Sequence, residues 1–311
     1  MDRVRMYCDA ESHPDPQQYA KRMLRRKQKG YTYFKMDLTQ SFLQGKPDTL
    51  IGSSPTDKGL AEWRKYIIAI REVIGWDVPL GADHTGNLTV NDAIRLGNAI
   101  EDLQLAFLED IILDWHKTAA LKKVTDTINV RTLHGENAFG LEGFKRWFVD
   151  PRSVNMIHPD MATSGGILET HLIGMEADRN DMPIFFHHAG SPVGSIASVH
   201  CACTLPNFVA MENHAVDIPW WDDLVTGLPN PIIQEGYITV PEKPGLGLDF
   251  NKEVIREHLS IPVILSRPPS TIIPRLATAR VVRTRILIPM GTGRMKDERK
   301  DGRLWDYKKC I

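Results

Sequence analysis

The sequence predicts an α/β protein whose parallel strands close into one barrel. Short β-type runs alternate regularly with amphipathic helical stretches, and the chain has 311 residues, of which 42% are hydrophobic. Alternating strands and helices give parallel strands joined by right-handed crossovers. At this length a closed barrel is favoured over an open sheet. We therefore expect a TIM-type (β/α)7β barrel over residues 1–250, followed by a C-terminal extension over residues 251–311.

Eight strands are expected from short runs rich in branched and aromatic residues. They are Arg3–Cys8, Tyr31–Asp37, Pro79–Asp83, Ala106–Glu109, Val130–Leu133, Met156–Asp160, Met182–His187 and Phe208–Glu212. The segments between them have helical periodicity. The predicted helices are Gln17–Lys29, Gly59–Ile74, Val90–Leu103, Lys117–Asp126, Leu141–Phe148, Ile167–Arg179 and Ser195–Thr204. From Ala215 onward this alternation stops.

The composition argues against several classes of partner. The net charge is −1, from 38 basic and 39 acidic residues, and no dense block of Lys and Arg has interleaved aromatics. We therefore expect no nucleic-acid partner. No run of about 18 apolar residues could span a membrane, and the charged N-terminus lacks the apolar stretch of a signal peptide. The four cysteines form no C-x-x-C pair, which favours a reduced, cytoplasmic setting.

Chemically active side chains stand at or just beyond the C-terminal ends of seven predicted strands. They are Lys35, Asp37, Asp83, Glu109, Glu136, Asp160, His187 and Glu212. In a barrel all of these strand ends open onto the same mouth. Polar loops alone would explain one or two such residues, but not a set made almost entirely of carboxylates and histidine. The sequence therefore predicts an active site at the mouth.

Three of these carboxylates indicate a metal site. Asp83, Glu109 and Glu136 follow three successive strands, about one strand–helix unit apart (109 − 83 = 26 and 136 − 109 = 27). Three like charges at one mouth would repel each other unless a cation neutralised them. Hard oxygen ligands favour Mg²⁺, with Mn²⁺ as a substitute.

A second pair indicates proton transfer. Asp160 and His187 are also one unit apart (187 − 160 = 27), and a carboxylate on the neighbouring strand can orient an imidazole and raise its basicity. Adjacent strand residues point to opposite faces, so only one of His187 and His188 can enter the mouth. Lys35 and Asp37 are two residues apart and should face the same side.

The segments around these residues resemble the enolase superfamily, in its mandelate racemase/muconate lactonizing enzyme branch. ADHTGNLT, FLED and HGE resemble the segments that carry the metal ligands after the third, fourth and fifth strands. SPVGSIASVHCACTLPNF, ENHAVDIPWW and VPEKPGLGLDFN are similar to the acid-sugar dehydratase-like members. The interval from His187 to Glu212 (212 − 187 = 25) fits those members and favours His187 over His188.

The resemblance implies roles for these residues. It implies that Asp160 and His187 form the dyad that takes or gives the proton, and that Glu212 bonds the substrate carboxylate. It implies that Lys35 and Asp37 host an opposite-face base or an electrostatic partner. His84 resembles a residue that contacts substrate, although support of a metal ligand is an equal alternative.

The resemblance also implies an N-terminal capping domain of about 100 residues, a common domain size. The sequence begins at the first barrel strand, so we expect this cap to be absent, the extension over residues 251–311 to lack its packing partner, and activity to be weak. Residues 38–56, rich in Gly, Pro and Ser, are either a mobile lid or a surface insertion.

Three functions remain open at this point. The first is a Mg²⁺-dependent acid-sugar dehydratase acting on a small sugar-acid carboxylate. The second is a racemase or epimerase of a hydroxy acid that uses Lys35 and His187 on opposite faces. The third is a catalytically silent barrel. We also expect the chain to form a homo-oligomer.

Overall fold

The computed structural model describes residues 1–83, 85, 88–112, 117–148 and 152–259. Met1–Asp249 form one compact unit, and a second unit begins at Phe250. Within the described part of the second unit, one helix extends from Lys252 to Glu257, and the side chain of Asn251 accepts a hydrogen bond from Val254 N.

Within the described residues, eight parallel strands close into a barrel, which confirms the predicted fold. The strands are β1 (Arg3–Cys8), β2 (Phe34–Asp37), β3 (Leu80–Asp83), β4 (Phe107–Glu109), β5 (Thr132–His134), β6 (Met156–Ile157), β7 (Ile184–Phe186) and β8 (Phe208–Asn213). Closure comes from β1 and β8, which pair with Tyr7 opposite Glu212 and Cys8 opposite Asn213. A further strand that the sequence did not predict, β9 (Tyr237–Thr239), pairs antiparallel with the start of β1.

The helices of the barrel unit lie between successive strands. They are α1 (Pro16–Gln28), α2 (Asp57–Ile74), α3 (Val90–Ala99), α4 (Thr118–Thr125), α5 (Gly140–Phe148), α6 (Met161–Ser164), α7 (Ile167–Arg179) and α8 (Pro192–Ala202). Helix α8 begins three residues before its predicted start because Pro192 occupies the first turn, where its missing N–H costs no hydrogen bond. Helix α6 was not predicted, and the side chain of Asp160 caps it.

Short pieces complete the barrel unit. Single 3₁₀ turns cover Gln40–Phe42, Glu101–Leu103, Ala215–Asp217 and Asp222–Leu224. The predicted helix Val90–Leu103 is therefore divided into α3 and a 3₁₀ turn. In the described part of the chain, we find no helix with both the length and the apolar character needed to cross a membrane.

The interior of the barrel contains a layer of apolar and aromatic side chains below the mouth. The layer consists of Tyr7, Tyr33, Phe107, Leu133, Met156, Phe185 and Ala210, all buried. Side chains alternate along a strand, so the residue two positions further on faces the same side. Lys35, Glu109, His158, His187 and Glu212 each stand two residues after a member of this layer. The aromatic layer is therefore the floor on which the polar site is built.

Gly81 provides the space that this floor needs. A β-carbon at Gly81 would lie 2.2 Å from the Phe107 ring, which is well inside van der Waals contact. Gly81, two residues before Asp83, therefore leaves room for the Phe107 ring to pack against β3.

The segment from residue 38 to 56 is fastened to α2. Its two short strands, Leu50–Ile51 and Ser54–Pro55, form a hairpin. The Phe42 ring stacks on Tyr66 with centroids 4.0 Å apart, and Trp63 Nε1 donates to the carbonyl of Thr39 at 3.0 Å. Because of these contacts, residues 38–56 pack against α2 and do not form a loose insertion.

Candidate active site

Lys35 lies at the centre of the mouth and is 1% exposed. Its Nζ is 3.0 Å from Asp83 Oδ2, 3.0 Å from Glu109 Oε2 and 2.5 Å from Glu212 Oε1. Burial lowers the pKa of Lys35, but the charges of these three carboxylates outweigh burial and raise it well above its usual value. Its ammonium donates hydrogen bonds to Asp83 and Glu109 and forms an ion pair with Glu212, so the lysine remains protonated in the cation-free site.

Below Lys35, a buried chain of hydrogen bonds reaches the floor. His158 Nδ1 is 2.7 Å from Glu109 Oε1, and its Nε2 is 2.6 Å from the Tyr7 hydroxyl. His158 has no exposed surface, and both of its ring nitrogens are engaged. We interpret His158 as the residue that orients Glu109, since a bonded imidazole fixes a carboxylate next to a possible metal. Sequence reasoning missed His158, although it stands two residues before Asp160.

Two of the predicted metal ligands, Asp83 and Glu109, contact Lys35. Among the described residues, Glu109, Glu136 and His158 have ligand atoms within 4.8 Å of one another. Asp83 is not in that group; it is joined to Glu109 through the shared Lys35 ammonium. The structure therefore brings Glu109 and Glu136 together and places Asp83 next to Glu109 through Lys35.

These residues fit a hard divalent cation. Burial, together with the charges of Glu109 and Asp110, outweighs the charge of His187 and raises the pKa of Glu136, so its anionic form is only partly compensated. A cation beside Glu136 would reverse that penalty. Buried carboxylate oxygens are the ligands that Mg²⁺ and Mn²⁺ prefer.

Asp160 and His187 form a hydrogen-bonded pair at the ends of β6 and β7. His187 Nδ1 is 2.8 Å from Asp160 Oδ2, and His187 Nε2 is 3.3 Å from Glu136 Oε2. Asp160 Oδ1 also accepts from the backbone N–H groups of Ala162 and Thr163, which begin α6. Asp160 thus fixes the imidazole and is itself fixed by a helix start.

The environment of His187 favours the protonated ring in the absence of a cation. Burial lowers its pKa, but the hydrogen bond to Asp160 and the charges of Glu212 and Glu136 raise the pKa of His187 to about 9. A cation held by Glu136 would oppose this effect and lower the pKa. For Asp160, burial raises the pKa, but the hydrogen bond to His187 has the larger effect. The pKa of Asp160 is therefore below its usual value.

His188 points away from this pair. It is 5% exposed, and its Nε2 lies 3.2 Å from the carbonyl of Ser191. Its ring packs against Gly190 and Gly194, where a β-carbon would lie 3.0 Å and 2.8 Å from His188 Cε1. Burial lowers the pKa of His188 to about 4. The alternation of the strand thus gives two neighbouring histidines opposite surroundings.

Glu212 is fully buried between Lys35 and a histidine that sequence reasoning missed. His214 Nε2 is 3.0 Å from Glu212 Oε1, and His214 Nδ1 is 3.1 Å from Asp9 Oδ2. Burial raises the pKa of Glu212, but the charges of Lys35 and His214 lower it well below its usual value. The signal for His214 was its position two residues after Glu212, in the segment ENH.

A second group of possible ligands lies beside Glu212. Within the described ranges, His187, Glu212 and His214 each have one ligand atom within 4.8 Å of the others. A metal needs unprotonated imidazoles, whereas the pKa values of His187 and His214 are both raised. Lys35 also already neutralises Glu212. We therefore assign no metal to this group.

Two predicted residues remain. Asp37 is half-buried at the end of β2, and its backbone N–H donates to the Tyr19 hydroxyl at 2.7 Å. His84 lies outside the described residues, as does the C-terminal region from residue 260. Their predicted roles stay predictions.

The comparisons with known proteins agree with this fold. Residues 18–254 match the family described as Enolase C-terminal domain-like. The chain therefore belongs to this family, and its resemblance to the enolase superfamily is confirmed. It is 31% identical over 261 residues to the D-xylonate dehydratase of Haloferax volcanii, covering 83% of this chain and 62% of the relative. It is 24% identical over 264 residues to the D-gluconate dehydratase of Thermoproteus tenax, covering 84% of this chain and 50% of the relative.

Solved structures give the same result. A mandelate racemase/muconate lactonizing enzyme-like protein from Rubrobacter xylanophilus superposes with a TM-score of 0.76 at 27% identity, covering 83% of this chain and 69% of that one. A mandelate racemase/muconate lactonizing enzyme from Jannaschia sp. CCS1 has a TM-score of 0.72 at 25% identity, covering 84% of this chain and 67% of that one.

Proposed function

We propose that this chain is the barrel of a Mg²⁺-dependent acid-sugar dehydratase, a lyase that removes the proton α to a carboxylate and eliminates the β-hydroxyl group. One observation carries the proposal. His187 is held by Asp160 at 2.8 Å and presents its other nitrogen 3.3 Å from Glu136, a predicted cation ligand. An oriented acid–base group thus lies beside the place where a substrate carboxylate would meet a cation.

The relatives support the same class of substrate. Two of the matching proteins are a D-xylonate dehydratase and a D-gluconate dehydratase.

The site residues have different roles in this reaction. His187 takes the α-proton at Nε2, while Asp160 holds the ring in position and stabilises the imidazolium that forms. Lys35 places a positive charge at the centre of the mouth, where negative charge develops on the substrate. Asp83, Glu109 and Glu136 would hold Mg²⁺ or Mn²⁺. When bound, such a cation supplies positive charge that lowers the free energy of the carboxylate-derived dianion.

A racemase of this design needs a second base on the opposite face, and Lys35 was the predicted candidate. In the cation-free site the charges of Asp83, Glu109 and Glu212 raise the pKa of Lys35, which opposes that role. A cation held by Asp83 and Glu109 would lower the pKa again, so product analysis decides between dehydration and racemisation.

The test is a screen of acid sugars, including D-xylonate and D-gluconate, with Mg²⁺ and with EDTA. We expect a 2-keto acid, trapped by semicarbazide, that forms only with the cation. His187→Asn should lower the rate by about 10²- to 10⁴-fold, the usual contribution of a general acid–base group. His171→Asn, on α7 and bonded to Thr204, is the matched control and should have no effect.

Other outcomes would decide against the proposal. Epimerised substrate without a keto acid would indicate a racemase. Unchanged substrates with folded protein would indicate a catalytically silent barrel.

A further inference from the structure

The mouth contains a second His–carboxylate pair that the proposed reaction does not yet use. Asp9 and His214 are 205 residues apart (214 − 9 = 205). They follow Cys8 and Asn213, which are opposite each other where β8 closes the barrel on β1. The contact between His214 Nδ1 and Asp9 Oδ2, at 3.1 Å, is therefore a product of barrel closure.

This pair is held firmly from behind. The carbonyl of Asp9 accepts from Arg26 Nε at 2.9 Å, and Arg26 forms a double ion pair with Asp217. On the other side, the Asn213 side chain accepts from Ala215 N and donates to the Tyr31 hydroxyl. Both loops that carry the pair are thus fixed, as an oriented acid–base group requires.

His214 also faces the same part of the mouth as His187. The two rings have centroids 6.0 Å apart. One nitrogen of each lies within 4.8 Å of the other and of a Glu212 oxygen. The His214 side chain is 27% exposed and the His187 side chain 19% exposed. Two imidazoles at this separation can reach neighbouring atoms of one small substrate.

The dehydration needs two proton transfers, and other described groups are poorly suited to the second. Lys35 is 1% exposed and is held by three carboxylates. His158 has no exposed surface, and His188 is buried against Ser191. Both nitrogens of His214 are engaged as well, by Glu212 and Asp9. Its side chain is nevertheless 27% exposed, so among the histidines described beside His187 it can still meet a substrate atom.

We propose that His214, oriented by Asp9, is the catalytic acid that protonates the departing β-hydroxyl group. This inference rests on the proposed dehydration. Burial lowers the pKa of His214, but the charges of Glu212 and Asp9 raise it well above its usual value. The ring therefore carries the proton that the leaving group needs at neutral pH.

His187 takes the α-proton, and the electron pair of the C–H bond moves into the carboxylate. The pair then forms a Cα=Cβ bond as the Cβ–O bond breaks, and His214 gives its Nε2 proton to the departing oxygen, which leaves as water. His187 has gained one proton and His214 has lost one, and both exchange with solvent. The enol product rearranges to the 2-keto acid.

The two histidines can be separated by following exchange and elimination in D₂O. In the full chain with Mg²⁺ and a substrate from the acid-sugar screen, semicarbazide trapping measures elimination. Deuterium at the α-carbon of recovered substrate measures proton removal. His214→Gln should lower elimination at least about 100-fold while α-exchange continues. His187→Asn should lose both.

Glutamine is chosen because its amide can still donate to Glu212 but cannot transfer a proton. A purely positioning role for His214 would therefore leave His214→Gln active. His171→Gln is the matched control, and Asp9→Asn should lower elimination less than His214→Gln does.

Two results would overturn the inference. One is an elimination rate of His214→Gln within about threefold of the wild-type rate, because the loss of a general acid should lower that rate far more. The other is equal loss of exchange and elimination in a folded His214→Gln variant. If the wild type neither exchanges nor converts any acid sugar, the proposed function itself is wrong and the inference falls with it, so the wild-type measurement distinguishes the two failures.

Discussion

The two His–carboxylate pairs at the mouth are built alike but surrounded differently. In each, a carboxylate that follows one strand lies close to the Nδ1 atom of a histidine that follows the neighbouring strand. The Asp160–His187 contact is a hydrogen bond at 2.8 Å, and the Asp9–His214 contact is an ion pair at 3.1 Å. Asp160 and His187 connect β6 to β7, where they form a parallel bridge. Asp9 and His214 connect β1 to β8 at the barrel closure. A similar placement of a carboxylate and a histidine therefore arises twice from neighbouring parallel strands.

Their neighbours distinguish the pairs. His187 lies 3.3 Å from Glu136, next to the proposed cation. His214 lies 3.0 Å from Glu212, whose same oxygen is 2.5 Å from Lys35. A cation bound to Glu136 would offset the negative charge near His187, lower the pKa of His187 and favour its role as base. The charges of Glu212 and Asp9 instead keep His214 protonated. Opposite roles can thus follow from the surroundings rather than from the pairs themselves.

The largest expected effect comes from removing the positive charge of Lys35. Lys35 pairs with Glu212, which lies near the histidines of both pairs. Lys35→Met should lower the free energy of unfolding by about 3–5 kcal/mol, because removing one partner of a buried ion cluster leaves the others uncompensated. Millimolar Mg²⁺ should restore part of this loss, since a cation can replace the ammonium. Urea unfolding with and without Mg²⁺ measures both quantities.

Lys46→Met is the surface control for this experiment. Lys46 pairs with Glu62 at 3.1 Å, and its side chain is 36% exposed, so its loss should cost less than about 1 kcal/mol. Equal costs for the two lysines would mean that Lys35 does not hold the mouth together.

The second prediction uses His188, which lacks a carboxylate hydrogen bond of the kind that defines the two pairs. Burial lowers its pKa to about 4, whereas an unfolded histidine titrates near 6.5. The unfolded chain therefore binds more protons between these values, and stability present above about pH 6.5 is lost as the pH falls toward 4. At pH 5 the loss from His188 should be about 2 kcal/mol.

Unfolding of the wild type and of His188→Gln at pH 7 and pH 5 measures this contribution. Other titrating groups cancel in the difference between the two proteins. The wild type should lose more stability than the variant on acidification. Identical losses would contradict the neutral, buried state of His188.

The barrel could be predicted because the strand–helix alternation is local. β1 and α7 have the predicted bounds, and most other elements differ by a few residues. The strand-end rule also placed Lys35, Glu109 and Glu212 at one mouth, because every parallel strand presents the same end there. The period of two allowed only one of His187 and His188 to enter the mouth, and the interval from His187 to Glu212, which fits the dehydratase-like members, favoured His187.

The missed residues depend on contacts between distant parts of the chain. Asp9 meets His214 only because β1 and β8 pair in one register, with Cys8 opposite Asn213. His158 had a local signal, its place two residues before Asp160, but its bond to Tyr7 spans 151 positions. The clamp of three carboxylates on Lys35 likewise depends on side-chain geometry, which spacing alone does not provide.

The smallest expected effect separates the two carboxylates. Asp160 bonds His187 with one oxygen and caps α6 with the other, at 2.8 and 2.9 Å from the N–H groups of Ala162 and Thr163. The described contacts of the Asp9 side chain include His214 but no helix start. An asparagine keeps a capping oxygen, whereas an alanine removes it. The loss of stability from Asn to Ala should therefore be larger at position 160 than at position 9 by about 1 kcal/mol, the usual value of a helix cap.

Urea unfolding of Asp160→Asn, Asp160→Ala, Asp9→Asn and Asp9→Ala at one pH gives this difference directly. Each Asn variant already lacks the negative charge, so its comparison with Ala cancels the charge-assisted bond to the histidine, which is worth about 1.5–3 kcal/mol. What remains at position 160 is the cap. Equal Asn-to-Ala losses at the two positions would show that Asp160 does not support α6. The two pairs would then differ only in which carboxylate, Glu136 or Glu212, lies beyond the imidazole.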